Sequence, residues 1–243
     1  MVKERIDIML AKKGLAPSRE KAKVLVMAGE VYIGNERVHK PDIKVPFDVE
    51  IEIKKDSIPY VGYGGVKLAH AVNAFNVDLC GKVIIDIGSS TGGFVDFMLK
   101  SGALYIYAID TGTHQLHESL RKDKRVILKE HFNARYLVFE DVGEKVDLVT
   151  IDVSFISLKK ILPATIPLLK PGGHIISLVK PQFEVGRFEV GRGGIVKDKG
   201  KIEGVLEDIK SFGKTLGLKY MDFVESPREK TKKNREYFML WGL

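Results

Sequence analysis

The sequence predicts a doubly wound α/β domain on a parallel sheet, preceded by a smaller N-terminal α/β domain. Three observations predict it. Four short apolar runs each end on a charged residue: Val83-Ile84-Ile85 on Asp86, Tyr105 to Ile109 on Asp110, Leu148 to Ile151 on Asp152, and Ile175 to Val179 on Lys180. Runs this short, without clean alternation, read as strands covered on both faces. From Val66 onward, helical and strand-like patterns alternate, as a parallel sheet requires. Before about residue 54 the pattern differs, and Ser57 to Gly65 intervenes, rich in glycine and with neither period. The expected division is therefore 1–57, a linker at 58–65, and 66–243.

In the N-terminal part, Ile6, Met9 and Leu10 follow helical spacing, which predicts a helix near Arg5 to Lys13 that stops at Gly14. A second helix is expected after Pro17-Ser18, with Ser18 as its N-cap, Ala22, Leu25 and Val26 on one face, and its end near Ala28-Gly29. Short strands are expected at Val31-Tyr32-Ile33, Arg37-Val38 and Val49 to Ile53. In the larger part, a helix should run from Phe94 to Leu99. Two late runs, Tyr220 to Val224 and Tyr237 to Trp241, should pair as an antiparallel hairpin at one sheet edge.

The chain has 243 residues and a formal net charge of +7, which permits an anionic polymer such as RNA or DNA as a partner. Its one cysteine, Cys80, rules out an internal disulfide framework and a cysteine-based zinc cluster and fits a reducing cytosol. No apolar stretch approaches the roughly 18–20 residues of a membrane span. The segment Val2 to Asp7 is too charged for a secretory signal. His114, His117, His131 and His174 lack metal-ligand spacing, so no metal is expected. These features predict a cytoplasmic protein without a membrane partner.

In a parallel sheet ligands bind at the carboxyl ends of the strands, where Asp86, Asp110, Asp152 and Lys180 should gather. The loop Asp86-Ile87-Gly88-Ser89-Ser90-Thr91-Gly92-Gly93-Phe94 follows the first strand and opens a helix. Its glycines allow a sharp turn and close approach of a ligand to the backbone. Asp110 lies 24 residues beyond Asp86, at the next strand end, where an acid suits ribose hydroxyls. A dinucleotide would need G-x-G-x-x-G and a site for pyrophosphate. This loop has different glycine spacing and an acid at its head. That combination favours S-adenosylmethionine, with its cationic amino acid and its ribose, over a nicotinamide dinucleotide. Asp152 and Lys180 end adjacent runs, and Lys67 and Glu236 complete a set of two lysines and two acids. Such a set suits proton abstraction from a weakly acidic hydroxyl, since a neutral lysine accepts a proton and neighbouring charges tune it.

Three strings, Asp86 to Phe94, Asp152-Val153-Ser154-Phe155-Ile156-Ser157 and Lys180-Pro181-Gln182-Phe183-Glu184, resemble the TlyA (haemolysin-A-like) ribosomal RNA 2′-O-ribose methyltransferases, within the wider FtsJ/RrmJ-type fold. Residues 3–54 resemble the small RNA-binding domain of ribosomal protein S-four, in Arg5-Ile6-Asp7, Ser18 to Ala22 and Gly29-Glu30-Val31. The resemblance implies a Rossmann-like class I S-adenosylmethionine-dependent sheet and a Lys-Asp-Lys-Glu tetrad at Lys67, Asp152, Lys180 and Glu236. Lys180 would be the base or activator of the ribose 2′-hydroxyl, Asp152 would orient it and the methyl donor, and Lys67 and Glu236 would hold the network and the target ribose. Glu225 competes with Glu236, but Asn234-Arg235-Glu236-Tyr237-Phe238 resembles the family's terminal string. The implied cofactor set is Asp86, Gly88, Ser89, Ser90, Thr91, Gly92, Gly93, Phe94, Asp110, Asn133 and Asp152. The implied substrate is cytidine ribose in small-subunit ribosomal RNA, and in some members large-subunit RNA. The family's Ser-Arg-Gly-Gly reads Gly62-Tyr63-Gly64-Gly65 here, with Tyr63 in place of the arginine.

Residues 1–30 hold seven Lys/Arg against four Asp/Glu. Arg5, Lys12, Arg19 and Lys23 are candidate phosphate contacts there, and Lys232 and Lys233 lie in a second cluster just before Glu236. Two other functions are compatible with parts of the pattern. A membrane-active haemolysin would need a spanning or strongly amphipathic segment, and a non-catalytic RNA-binding assembly factor would not need the tetrad.

Overall fold

The computed structural model describes residues 3–27, 30–34, 36–38, 40–53, 59–186, 189–228 and 234–243. The expected end of the second helix at Ala28-Gly29, and Lys232 and Lys233, lie outside the described residues. The chain divides into two compact units, Met1–Ile58 and Pro59–Leu243.

In the first unit, β1 (Lys3–Arg5) pairs antiparallel with β4 (Lys44–Pro46). Helices α1 (Ile6–Lys12) and α2 (Arg19–Met27) follow β1. A second sheet has the order β3 (Glu36–Arg37), β2 (Val31–Ile33), β5 (Ile51–Ile53). The apolar stripe read from the sequence is buried: Ile6, Met9 and Leu10 of α1 meet Ala22 and Val26 of α2 and Val31, Val45 and Ile51 of the strands. β1 and β4 are three residues each, too short to show a period, and the sequence carries no sign of them.

The second unit opens on α3 (Tyr63–Phe75) and continues β6 (Val83–Ile87), α4 (Gly93–Lys100), β7 (Tyr105–Ile109) and the single turn α5 (Glu118–Arg121). Then come β8 (Val126–Lys129), the single turn α6 (Phe139–Val142), β9 (Val146–Ile151), the single turn α7 (Leu162–Thr165) and β10 (Leu169–Val179). The short α8 (Pro181–Glu184), the long α9 (Lys199–Thr215), β11 (Lys219–Glu225) and β12 (Tyr237–Gly242) complete it. Their sheet has the order β11-β12-β10-β9-β6-β7-β8. From β10 to β8 all neighbours are parallel, and β12 runs antiparallel to both β10 and β11. The mixed sheet and the edge hairpin agree with the sequence expectation.

One apolar layer, containing Ile85, Val149, Ile175 and Trp241 with Ile202, Val205 and Ile209 of α9, covers one face of the sheet. The other layer joins Ile84, Ile106, Leu148 and Ile176 to Leu68 and Ala71 of α3 and Val95 and Met98 of α4. Burial on both faces is why the strand runs lack alternation. The linker expectation differs from the structure. Residues 59–65 belong to the second unit, and Tyr63 already opens α3. Val61 N–H donates to Asp96 Oδ2 of α4 at 2.8 Å. Gly64 and Gly65 pack against Gly93 at the head of α4, where a Cβ would strike their backbone. The glycines that hid the helix in the sequence are the ones that let α3 and α4 touch.

Candidate active site

The chain order turns back between β6 and β9: β7 and β8 lie on one side of β6, and β9 and β10 on the other. That is the switch point where open α/β sheets bind ligands. In register, Ile87, Ile109 and Ile151 align across β6, β7 and β9, and Ser177 of β10 stands opposite Ile151. The residues that follow these strands therefore emerge together.

The glycine loop leaves β6 in left-handed conformations at Gly88 (φ 84°) and Gly92 (φ 95°), which glycine adopts at little cost. Gly88 also lies against the backbone of Asp152, where any Cβ would strike the carbonyl. Gly88 N–H donates to the Ile109 carbonyl at 2.8 Å, and Ser89 Oγ to the Asp86 carbonyl at 3.0 Å. Asp110 fixes the other side of the loop. Its Oδ2 accepts Ser90 N–H and its Oδ1 accepts Gly112 N–H, both at 2.7 Å.

Two cavities open on this edge. The larger, about 410 Å³, is walled by Gly88, Ser90, Asp110, Asn133 and Asp152, with Phe132, Ala134, Ile156 and Ile161 as apolar surface. The smaller, about 200 Å³, is lined by Tyr63, Gly64, Lys67, Gly88, Ser89, Ser90, Thr91, Gly93, Phe94 and Asp152. They share Gly88, Ser90 and Asp152. Of the cofactor residues expected from sequence, all but Asp86 and Gly92 line one cavity or the other. Gly92 packs under Leu116 and Leu120 instead.

Asp86 differs from its expected role as a ligand-facing acid. It is fully buried, its Oδ1 accepts the Thr150 hydroxyl at 2.6 Å, and its Oδ2 has no partner among the described residues. Burial pushes its carboxyl up to about 7, against the pull of the Thr150 and Ser89 hydroxyls, with Asp152 and Asp110 adding to the rise.

The tetrad positions form two pairs. Lys67 Nζ meets Glu236 Oε2 at 2.6 Å, tying the first turn of α3 to the entry of β12. Lys180 Nζ meets Asp152 Oδ1 at 2.6 Å across the β9–β10 edge. Lys67 and Asp152 both line the smaller cavity, so one member of each pair meets the same space. Glu225 is engaged elsewhere, in a two-pronged pair with Arg235 that holds its carboxyl low. That leaves Glu236 as the acid facing Lys67.

Four side chains that sequence reasoning passed over support the site. Thr150 caps Asp86. Ser154 Oγ accepts a hydrogen bond from Lys180 Nζ at 2.9 Å. Glu184 receives the Ser157 hydroxyl at 2.6 Å and Leu158 N–H at 2.8 Å, and burial raises its carboxyl despite those two donors. Asn234 Oδ1 accepts Val196 N–H at 2.9 Å while its Nδ2 donates to the Gly194 carbonyl at 2.8 Å. Ser154, Glu184 and Asn234 sit inside the strings singled out in the sequence, so the signal was present without the contacts. Beside them Phe155 holds φ 63°, with its ring 91% exposed and 5.0 Å from that of Phe183. A bulky residue in that backbone region is a local strain that a site can retain for function.

A model of the FtsJ-like methyltransferase family matches residues 60–243, and one of the S4 domain matches residues 4–51. The chain belongs to the FtsJ-like methyltransferase family. It is 46% identical over 216 residues to a Bacillus subtilis protein named "Putative rRNA methyltransferase YqxC", covering 88% of this chain and 77% of that one. It is 40% identical over 238 residues to the "16S/23S rRNA (cytidine-2'-O)-methyltransferase TlyA" of Mycobacterium tuberculosis, covering 98% of this chain and 88% of the relative. A solved structure named "Putative hemolysin from Streptococcus thermophilus" superposes with a TM-score of 0.77 at 42% identity, covering 100% of this chain and 89% of that one. Among the described residues, no helix is long and apolar enough to cross a membrane.

In the S4 unit the candidate RNA contacts fall into two kinds. Asp7 is fully buried and receives Arg5 Nε at 3.0 Å and Arg19 Nε at 2.9 Å. Burial raises its carboxyl, and the two guanidiniums more than offset that, leaving it below the usual range. Arg5 and Arg19 therefore hold a buried charge as well as showing a face to solvent. Lys12 is more than half exposed and among the described residues meets Glu4, at 2.8 Å, and Lys23 is half-buried on α2.

Proposed function

We propose that this methyltransferase uses S-adenosylmethionine to methylate the 2′-hydroxyl of cytidine ribose in ribosomal RNA, with the small subunit as target and the large subunit as the alternative or additional one. The observation that carries this reading is the convergence of Lys67–Glu236 and Lys180–Asp152 on one cavity that adjoins a second, acid-walled one. The donor set suits the cofactor. Carboxylates at Asp110 and Asp152 favour a ligand with cationic groups and ribose hydroxyls and repel a pyrophosphate, and the apolar wall of Phe132, Ala134, Ile156 and Ile161 suits a purine. When bound, S-adenosylmethionine supplies a methyl group on a sulfonium.

The chain's own work is alignment and proton transfer. Lys180, as the free amine, accepts the proton of the 2′-hydroxyl while the oxygen bonds to the methyl carbon. Gly88, Asp110, Asn133 and Asp152 would hold the donor, whose sulfonium would leave as a neutral thioether. Asp152 holds Lys180 in place through their pairing at 2.6 Å, and Lys67 with Glu236 secures the ribose side of the cavity. Holding oxygen, carbon and sulfur in line supplies much of the rate in such a transfer. The exposed ring of Phe155 offers a face on which an unstacked base can rest. The first unit grips the RNA through basic side chains, and the second unit, Pro59–Leu243, carries the chemistry. The reaction takes place in the cytoplasm on ribosomal subunits and needs no metal.

Incubating the protein with labelled S-adenosylmethionine and unmodified small and large subunits tests the reading. Label is expected on ribosomal RNA, and the subunit that carries it identifies the target. Cofactor binding without label on either would overturn the ribosomal assignment.

A further inference from the structure

Lys180 has two partners of different character. Asp152 Oδ1 stands 2.6 Å from Nζ, an ion pair that fixes charge and distance. The directional contact is the hydrogen bond that Nζ donates to Ser154 Oγ at 2.9 Å.

Direction matters because an amine takes up a proton along one tetrahedral axis. One N–H committed to Ser154 and a second drawn to Asp152 leave the neutral amine one tetrahedral axis for its lone pair. General-base efficiency depends on that alignment with the proton being abstracted.

Ser154 is itself held for this task. Before it, Asp152 N–H donates to the Ile87 carbonyl at 2.9 Å, fastening the segment to β6. After it, Phe155 turns the chain through its left-handed conformation, and Glu184 clasps Ser157 and Leu158. Glu184 lies four residues beyond Lys180, so the segment bearing Ser154 and the segment bearing Lys180 are joined at both ends, at 2.9 Å between Lys180 and Ser154 and at 2.6 Å between Ser157 and Glu184. The exposed position of Ser154 on a loop gives it no packing duty that would account for this anchoring.

We infer that Ser154 is a positioning residue for the base: its hydroxyl, held by the Glu184 clasp, sets the rotation of the Lys180 amine. This rests on the proposed role of Lys180 and adds a residue to it. Ser154→Ala should lower kcat for RNA methylation roughly tenfold, the usual weight of one directed hydrogen bond. KM for RNA and the affinity for S-adenosylmethionine should stay within about twofold. Ser154→Thr, which keeps the hydroxyl, should restore most of kcat.

A second readout needs neither cofactor nor RNA. In protein with ¹⁵N-labelled lysine, the Lys180 ammonium hydrogens should exchange with water faster in Ser154→Ala than in the wild type, and at the wild-type rate in Ser154→Thr. An unchanged exchange rate and kcat in Ser154→Ala would overturn the inference. So would a fall in kcat accompanied by lost cofactor affinity and no recovery with threonine, since the loop's shape would then be at fault. If the wild type transferred no methyl to RNA, the proposed reaction would fail, whereas the exchange measurement would still decide the contact between Ser154 and Lys180.

Discussion

Asp86 carries the least comfortable charge in the second unit. It is fully buried, one oxygen faces no partner among the described residues, and its carboxyl is raised to about 7. A carboxyl whose folded value lies above its unfolded one stabilises the fold when protonated, so this contribution is complete below about pH 4 and is lost as pH rises through 7. Asp86→Asn keeps the shape and removes the titration. Thermal unfolding without cofactor, compared from about pH 5 to about pH 8.5, should show the variant gaining on the wild type as pH rises, by a few kcal/mol at most. Parallel curves would contradict the account. The sequence shows Asp86 as the acid that ends a strand, and nothing in it reports the depth of that acid or the hydroxyl of Thr150 beneath it. That contact joins residues 64 apart on neighbouring strands, a separation no local pattern records.

Among the elements, what could be read in advance divides by cause. Strand ends at Asp110, Asp152 and Lys180 were legible because burial on both faces leaves a short apolar run with a charge at its end, whereas Asp86 lies inside β6, one residue short of its end. The β11–β12 hairpin was legible from two runs close in sequence. The start of α3 was not, because Gly62, Gly64 and Gly65 mimic a linker while serving close packing against Gly93. Nor were the loop contacts legible, since they depend on segments brought together by the sheet. Asn234 is the clearest of these. Two residues before Glu236, it ties the segment before β12 to the Gly191–Ile195 turn with one acceptor and one donor. A carboxamide does both from one side chain, and an ionised carboxylate only accepts. Asn234→Asp keeps the shape and loses the donor to Gly194, leaving two acceptors facing each other. The expected outcome is a KM for ribosomal RNA raised about threefold to tenfold with cofactor affinity unchanged, measured by initial rates and calorimetry. An unchanged KM would show that this tie does not serve the substrate side.

For the whole molecule, the charge of +7 becomes a statement about salt. A protein that neutralises phosphates releases counterions, so its RNA affinity falls linearly on a double-logarithmic salt plot. The S4 unit separates its basic residues by duty. Arg5 and Arg19 satisfy buried Asp7, whereas Lys12 pairs with the part-exposed Glu4. Replacing Lys12 and Lys23 together by Gln should therefore lower the salt slope of RNA binding by about 0.7–0.9 for each phosphate left without its lysine, with the melting temperature unchanged. Replacing Arg19 should instead destabilise the first unit. A salt slope unaffected by the double substitution would place the RNA on another surface.

The central claim is that the edge holding Lys67, Asp152, Lys180 and Glu236 directs a methyl group to a ribose oxygen. The most direct measurement digests ribosomal RNA, treated with wild-type protein or with Lys180→Ala, to nucleosides and analyses them by mass spectrometry. The account predicts 2′-O-methylcytidine from the wild type and roughly a hundredfold less, or lower still, from the variant, as expected when a general base is removed. Methyl groups on the base, or full ribose methylation by Lys180→Ala, would contradict it.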